Sequence, residues 1–165
     1  MSAETLIKVL HEFCHTAGAY KLIAGQVADI ESEKGNVKGD KAETLEFIHT
    51  HKTADLFKLA LKTGAIIAGA TDEQVEEMDK FGQAFGIAFQ IYDDIMDEIA
   101  TFEELGKTIG KDKEAGKLTY VSLYGLEQAK KYFHELINEA HIIIDKYNSE
   151  IFSSMLDKLV AKVDR

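Results

Sequence analysis

The chain of 165 residues contains no proline and a single cysteine, Cys14. Without proline, it lacks the residue that most strongly breaks a helix. One cysteine cannot form an internal disulfide, which is compatible with a reducing cytoplasm, and we expect a cytoplasmic protein. The sequence has no run of about twenty apolar residues and no visible signal peptide, so we expect no membrane-spanning segment.

The remaining composition fits a helical protein with an acidic surface. The net charge of -10 disfavours nucleic acid and anionic membrane surfaces as partners. Hydrophobic residues make up 45% of the chain, which is enough to build a core. We therefore predict an all-α fold, a helical bundle that forms one unit over residues 1–165. The apolar periodicity predicts helices at about 4–31, 40–69, 72–100, 117–146 and 149–164.

Two of these helices begin with capping signals. Asp40 is followed three residues later by Glu43, and Thr71 is followed by Gln74 at the same spacing. Both pairs match the capping box, in which the first side chain and the third residue satisfy each other's backbone N–H groups. We expect the second and third helices to start at these positions.

An acidic run inside an apolar stretch is the most informative segment, Asp93-Asp94-Ile95-Met96-Asp97. Helical spacing places four polar side chains on one face, Gln90, Asp93, Asp94 and Asp97. The same spacing gives a core-facing stripe of Ala88, Ile91, Tyr92, Ile95 and Ile99. Carboxylates crowded on one face favour a cation, and Mg²⁺ takes a few such oxygen ligands together with water and phosphate. A solvated acidic helix face explains the same residues, so the run alone leaves both hypotheses open.

Basic residues flank this run on both sides. Downstream, Gly106-Lys107 and Gly116-Lys117 belong to a glycine-containing segment that we interpret as a flexible lid. Upstream, Lys52-Thr53 follows His49 and His51. Lysine is a mobile point charge that suits a diphosphate, and threonine donates a hydrogen bond. Together, the acidic face and the lysines predict a site for a Mg²⁺-bound diphosphate.

The ordered set of motifs resembles the trans-isoprenyl diphosphate synthases, the polyprenyl synthetase family. The segment Phe89-Gln90-Ile-Tyr-Asp93-Asp94-Ile-Met-Asp97 is similar to the second aspartate-rich motif, FQxxDDxxD. The other matches are Lys52-Thr53 to the KT motif, Gly25-Gln26-Val-Ala-Asp29 to GQxxD, and residues 106–120 to GKxxGxD…GKxTY. Residues 123–130 most resemble bacterial farnesyl diphosphate synthases, the geranyltranstransferases.

The resemblance implies head-to-tail prenyl transfer. Isopentenyl diphosphate condenses with an allylic diphosphate to give a short-chain prenyl diphosphate, with Mg²⁺ as the cofactor. Asp93, Asp94 and Asp97 would hold the metal. The implied diphosphate ligands are Lys52, Lys107, Lys117 and Gln90. Thr53 and Gln90 would stabilise the carbocation or take part in proton transfer, and Phe89 would lie near the isopentenyl site.

The chain departs from the family in length and in one half of the site. Family members are roughly twice as long and carry a first aspartate-rich motif and a GGKRxRP motif, which are missing here, and Arg165 is the only arginine. The chain therefore resembles the C-terminal half of an isoprenoid-synthase fold. We expect it to be nearly inactive alone and to associate, either with itself or with an N-terminal-half partner.

Two other classes of function remain as hypotheses. The chain could be a non-catalytic helical interaction subunit of a prenyl synthase. His11-Glu12-Phe13-Cys14-His15 also matches HExxH, so a zinc metallopeptidase using His11 and His15 is a remote alternative. We interpret His49 and His51 as surface or pocket-rim residues.

Overall fold

A computed structural model describes residues 1–37, 39–99 and 117–165. Throughout these ranges the regular structure is helical and no strand is present, which confirms the all-α prediction. The α-helices are α1 (Ala3–Thr16), α2 (Leu22–Glu33), α3 (Lys41–Ile48), α4 (Asp55–Ala68), α5 (Asp72–Ile99), α6 (Tyr120–Tyr124), α7 (Leu126–Ile144) and α8 (Glu150–Val163). A π-helical segment, His49–Ala54, joins α3 to α4, and a 3-10 turn, Asp145–Tyr147, follows α7.

The long helix α5 is the centre of the fold. Its predicted apolar stripe is buried, with Ala88, Ile91 and Ile95 all at 0% exposure. Phe133 of α7 and Leu156 of α8 are also fully buried and belong to the same core cluster. The same helix also packs against α4, the π-helical segment and α6.

Both predicted helix starts are confirmed, Asp40 as an N-cap and Thr71 with Gln74 as a reciprocal capping box. The Asp40 carboxylate accepts the backbone N–H groups of Ala42 and Glu43 at 2.8 and 3.0 Å. At the start of α5, the Thr71 N–H donates to the Gln74 side chain at 2.9 Å, and the Gln74 N–H donates to Thr71 Oγ1 at 3.3 Å. These side chains satisfy backbone donors that the first turn of a helix leaves open.

Two predicted helices are wrong because each is interrupted. Residues 4–31 form α1 and α2, which are separated after Thr16, and Lys21 between them has φ -125° and ψ -100°. Residues 117–146 are broken at Gly125, whose φ of 83° lies in the left-handed region that favours glycine. No proline marks either break. Tertiary packing explains the break between α1 and α2, because α1 packs on α4 whereas α2 packs on α3 and the π-helical segment.

Close backbone approach fixes the π-helical segment between α2 and α5. A Cβ added to Gly86 of α5 would lie 2.5 Å from Ala54 Cα, and one added to Gly25 of α2 would lie 2.6 Å from the His51 carbonyl carbon. No side chain fits at such distances. Glycine at these two positions therefore allows both helices to contact the segment that carries Lys52 and Thr53.

The first two helices differ from the core. Thr16 is the only buried residue of α1, and those of α2 are Gly25, Asp29 and Ser32. Large apolar side chains on both helices are exposed instead, namely Leu6, Ile7, Leu10, Phe13, Ile23, Val27 and Ile30. Within the described part of the chain, no helix combines the length and the apolar character needed to cross a membrane.

Candidate diphosphate and metal site

The carboxylates of the acidic run lie in the last turns of α5. Asp94 and Asp97 are buried, with 4% and 7% exposure, and Asp93 is half-buried. Asp94 Oδ2 accepts the backbone N–H of Tyr120 at 2.8 Å, and Asp94 Oδ1 accepts Gln90 Nε2 at 3.3 Å. The first residue of α6 and a residue one turn earlier on α5 thus fix the Asp94 carboxylate in place.

Burial raises the pKa of Asp94 to about 7, against the hydrogen bonds from Tyr120 and Gln90 and the positive charge of Lys117, which all lower it. The neighbouring charge of Asp93 raises the pKa further. A buried carboxylate of this kind is stabilised by a nearby cation, because the charged form is otherwise penalised by desolvation.

Thr53 and Gln90 connect the π-helical segment to the acidic face. The Thr53 hydroxyl donates to Gln90 Oε1 at 3.1 Å, while the amide nitrogen of Gln90 donates to Asp94. The three side chains form one continuous hydrogen-bonded row, Thr53–Gln90–Asp94. The sequence predicted these residues for one site, and the structure brings them into contact.

Lys52 is bound to Asp29 of α2 by a short side-chain contact. Asp29 is buried at 6% exposure, whereas Lys52 is half-buried. The GQxxD segment therefore meets the KT segment directly. Lys52 must exchange this carboxylate for a diphosphate, or share it, in order to bind the anion predicted from the sequence.

Lys117 lies with Asp94 and Asp97 in the wall of a pocket of about 310 Å³. The pocket is bounded by the end of α5 and by the residues that lead into α6. Two of the predicted metal-binding carboxylates and one predicted diphosphate ligand thus share a single cavity. The predicted ligand Lys107 lies outside the described residues, as do Gly106 and the rest of the candidate lid up to residue 116.

An apolar groove of about 630 Å³ lies beside this row of polar residues. Leu56, Phe57 and Phe89 line it together with Ile23 and Val27 of α2, and Lys52 and Thr53 stand at its border. The arrangement places a charged end next to an apolar trough, which suits a ligand with an anionic head and a hydrocarbon tail.

The interpretation of His49 as a surface residue is wrong, although the residue does line a pocket together with Tyr120 and Tyr132. Its exposure is 4%, and its Nε2 lies 3.7 Å from Asp94 Oδ2. Burial lowers the pKa of His49 to about 4, and the charges of Lys117 and Lys52 lower it further while that of Asp29 opposes them. The sequence signal that was missed is periodicity. His49 lies four residues after Leu45 and directly after Ile48, both of which are buried, so helical spacing places it on the same covered face. His51 is half-buried and contacts Asp55 at 2.8 Å.

The donor set suits Mg²⁺ that is shared with a diphosphate. In residues 1–37, 39–99 and 117–165, no group of three or more His, Cys, Asp or Glu side chains is placed to hold a metal by itself. Mg²⁺ commonly takes only one or two carboxylates and completes its shell with water and phosphate. Asp94 and Asp97 beside Lys117 fit this mode of binding.

The zinc hypothesis gains no support from the same residues. The His11 and His15 rings stack with centroids 6.2 Å apart on the surface of α1. Glu12 between them contacts Lys62 at 2.6 Å. A zinc peptidase site needs a third ligand near the two histidines, and the described part of the chain offers none.

Comparison with known proteins identifies the fold and the family. A heterodimeric geranylgeranyl pyrophosphate synthase large subunit 2 of Arabidopsis thaliana is 44% identical over 150 residues, which are 91% of this chain and 40% of that protein. A dimethylallyltranstransferase of Fischerella ambigua is 44% identical over 138 residues, 84% of this chain and 39% of that one.

The structure resembles the solved geranyltransferase of Helicobacter pylori in complex with magnesium and isoprenyl diphosphate. The TM-score is 0.76 at 30% identity, and the match covers 99% of this chain and 53% of the other. The fold is therefore half of the isoprenoid-synthase helical bundle, and this chain spans about half the length of such proteins. The model of the polyprenyl synthetase family matches residues 2–155, and the chain belongs to that family.

Proposed function

We propose that this chain supplies the diphosphate- and Mg²⁺-binding half of a prenyltransferase site. The observation that carries the proposal is the hydrogen-bonded row Thr53–Gln90–Asp94. It joins two motifs that lie far apart in the sequence, and it stands between the pocket of Lys117 and the apolar groove. Such proximity of polar and apolar binding surfaces is what an allylic diphosphate requires.

In the proposed reaction, isopentenyl diphosphate and an allylic diphosphate condense head to tail. The C–O bond to the allylic diphosphate breaks, the double bond of isopentenyl diphosphate attacks the resulting cation, and a proton is lost. Asp93, Asp94 and Asp97 would hold Mg²⁺. When bound, the metal supplies positive charge that stabilises the leaving diphosphate.

The side chains of the row and the groove have distinct proposed tasks. Lys52, Lys107 and Lys117 bind the diphosphate. Thr53 and Gln90 face the reacting carbon, where their oxygen dipoles stabilise positive charge or assist proton transfer. Phe89 contributes to the isopentenyl side, and the groove that it lines holds hydrocarbon away from water.

The product chain length belongs to the proposal as well. Several curated relatives are named as geranylgeranyl pyrophosphate synthases, whereas the similar solved structures include geranyltransferases. We favour a short-chain product of the geranyltranstransferase type. A cytoplasmic location, which the single cysteine supports, is also a proposal, because relatives include chloroplastic and mitochondrial proteins.

A non-catalytic interaction subunit is the second candidate function. The exposed apolar side chains of α1 and α2 favour association with another surface. This candidate predicts a binding partner and no Mg²⁺-dependent affinity for diphosphate, and the two functions can therefore be separated by experiment.

Calorimetric titration of the chain with inorganic diphosphate tests the proposal. We expect binding only in the presence of Mg²⁺, weakened about tenfold or more in Asp93→Asn, which removes one charge from a half-buried position. Asp72→Asn is the matched control, since Asp72 is an exposed carboxylate at the other end of the same helix. Binding that ignores Mg²⁺, or that Asp93→Asn leaves intact, contradicts the proposal.

Turnover gives a second measurement. Incubation of the chain with geranyl diphosphate, isopentenyl diphosphate and Mg²⁺ should give little product, because half of the electrostatic environment of the family is missing. Losing one preorganised element commonly costs on the order of a hundredfold in rate. Robust turnover by the purified chain would show that the residues described above are sufficient for catalysis.

A further inference from the structure

Asp55 is a buried carboxylate that the proposed reaction does not use. It is the first residue of α4, it directly follows the π-helical segment, and its exposure is 1%. None of the motifs in the sequence analysis includes it. Removing a carboxylate from water is unfavourable unless charges or hydrogen bonds of the protein compensate for the lost hydration. The groups that surround Asp55 therefore indicate its role.

Three nitrogen-bearing side chains surround the Asp55 carboxylate. His51 Nδ1 lies 2.8 Å from Asp55 Oδ2, which is the distance of a hydrogen bond. The Nζ atoms of Lys21 and Lys58 lie 3.8 and 3.7 Å from Asp55 Oδ1. One oxygen of the carboxylate is thus bonded to the π-helical segment, and the other faces two positive charges that offset its own.

The imidazole of His51 also contacts two other helices. The Phe47 ring of α3 meets it edge to face, with centroids 4.5 Å apart and planes inclined by 61°. A Cβ added to Gly25 of α2 would lie 2.9 Å from His51 Cβ, so the backbone of α2 packs directly on this residue. Contacts from α2, α3 and α4 together leave the His51 side chain little freedom to change its rotamer.

Three consecutive side chains of the π-helical segment bind three different helices. The pairs are His51–Asp55 of α4, Lys52–Asp29 of α2 and Thr53–Gln90 of α5. In the proposed function, Lys52 exchanges or shares its carboxylate when it binds a diphosphate, and Thr53 faces the reacting carbon. The contact of His51 with Asp55 is the one of the three that the ligand leaves in place.

We propose that Asp55 is a positioning residue: through His51 it fixes the π-helical segment, so that Lys52 and Thr53 meet an anionic ligand in one orientation. The inference rests on the proposed function for the identity of the ligand, whereas the fixing of the segment is a property of the free chain. Side chains bind a ligand at full strength only when the backbone that carries them is held in the productive position.

The charge of Asp55 favours orientation over stability as its role. Desolvation offsets much of the attraction within a buried ion pair, and an apolar side chain of similar volume is often as stable in its place. Hydrogen-bonded polar groups differ from apolar ones in that they accept only a few geometries. A carboxylate at position 55 therefore selects one arrangement of His51, which an apolar side chain would not do.

Two substitutions of similar shape at His51 separate the hydrogen bond from the volume of the side chain. His51→Asn keeps an N–H donor near the place of Nδ1, whereas His51→Leu has none. In His51→Leu, the backbone N–H groups of residues 51–54 should exchange with deuterium about tenfold faster or more. Exchange in His51→Asn should stay near the native rate. Asp55→Asn keeps an acceptor but loses the charge, and about threefold faster exchange is expected. Nuclear magnetic resonance measures each site.

Exchange in the core separates a local effect from a global one. The N–H of Ile91 in α5 reports global unfolding and should be accelerated less than the segment. Asp79→Asn is the control, because Asp79 pairs with the same Lys58 at 3.3 Å and with Lys62 at 3.4 Å. It should leave the segment within about twofold of the native rate. Equal acceleration of core and segment, or native exchange in His51→Leu, overturns the proposal.

Calorimetric titration with inorganic diphosphate and Mg²⁺ connects the segment to the ligand. Affinity should fall about threefold or more in Asp55→Asn and His51→Leu and stay near native in His51→Asn, because only the last keeps both partners of the hydrogen bond and the charge. Equal losses in the two His51 variants, or native affinity in both Asp55→Asn and His51→Leu, overturn the proposal. If the native chain does not bind diphosphate, the proposed function fails, and the exchange rates alone decide whether Asp55 fixes the segment.

Discussion

The core around α5 and the pair α1–α2 bury different kinds of residues. In the core, large apolar side chains are fully covered, for example Phe81 at 1% and Phe133 at 0% exposure. On the first two helices, small or polar residues are covered while Phe13 and Val27 remain 55% and 54% exposed. The core can thus support a fold by its own packing, whereas α1 and α2 present a surface that suits a partner. The candidate site lies along the boundary between these regions.

Replacing a phenylalanine by alanine in each region should give the largest difference in the free energy of unfolding. Phe133→Ala creates a cavity in a close-packed core and should lower the free energy of unfolding by about 3–5 kcal/mol. Phe13→Ala removes a ring that is exposed in the single chain and, at concentrations too low for association, should change this free energy by less than about 0.5 kcal/mol. Urea denaturation followed by circular dichroism measures both. Similar losses in the two variants would mean that α1 is as well packed as the core.

Glycine substitutions sharpen the comparison at the boundary. Gly25→Ala forces a methyl group into the backbone near His51 and should destabilise the chain by about 1–3 kcal/mol. Gly64→Ala is the control, because nothing lies within 4 Å of the added Cβ. In the interior of α4 it should stabilise the chain by about 0.5–1 kcal/mol. Thermal unfolding should therefore show opposite signs for two chemically identical changes.

Polar substitutions on α1 test whether its exposed face drives association. We expect the native chain to be a dimer or larger oligomer at micromolar concentration. Replacing Leu6, Leu10 and Phe13 together by Gln should raise the dissociation constant about tenfold or more, which corresponds to about 1.4 kcal/mol. Light scattering over a dilution series measures the change. A monomeric native chain, or an unchanged constant in the variant, contradicts the expectation.

The smallest effect concerns the pH dependence of stability in the absence of metal. The folded-state pKa of Asp94 of about 7 exceeds its usual value of 3.8. The stabilising contribution of Asp94 to the free energy of unfolding is therefore fully present below pH 4 and is lost as the pH rises through 7. His49 acts in the opposite direction, because its pKa is lowered from 6.5 to about 4 and its contribution is lost as the pH falls through 4. In the native chain, the two changes in unfolding free energy with pH therefore partly cancel.

The variant Asp94→Asn removes the titrating carboxyl group, so its difference from the native chain reports the effect of Asp94 alone. In EDTA, the gain in unfolding free energy of this variant over the native chain should grow between pH 4 and pH 7.5, on the order of 1 kcal/mol or more. Denaturation curves at several pH values measure it. A difference that stays constant over this range would show that Asp94 titrates alike in the folded and unfolded states.

The sequence predicted the parts of the fold that rest on strong local signals. The capping residues Asp40 and Thr71 start helices as expected, and the apolar stripe of α5 is buried. The two breaks within predicted helices were missed, because α1 and α2 are separated by tertiary packing and Gly125 lies in a segment with continuous helical pattern. The resemblance in the motifs was confirmed at the level of the family.

The candidate site was predicted only in its residue content. Lys52, Thr53, Gln90, Asp94 and Lys117 were named from the sequence, and their assigned roles remain predictions. The contacts among them could not be derived from spacing, because Thr53 and Gln90 meet through the packing of separate helices. The pairing of Lys52 with Asp29 likewise depends on how α2 packs against the π-helical segment.

The π-helical segment His49–Ala54 sets a constraint on length. Hydrogen bonds that close over five residues instead of four fit an extra residue into the helix. Loss of one residue here would convert the segment to regular α-helix and rotate α4 by about 100° relative to α3. Either Thr53 would leave Gln90, or Leu59 would leave the core. The number of residues in this segment is therefore as much a requirement of the candidate site as the identity of Lys52 and Thr53.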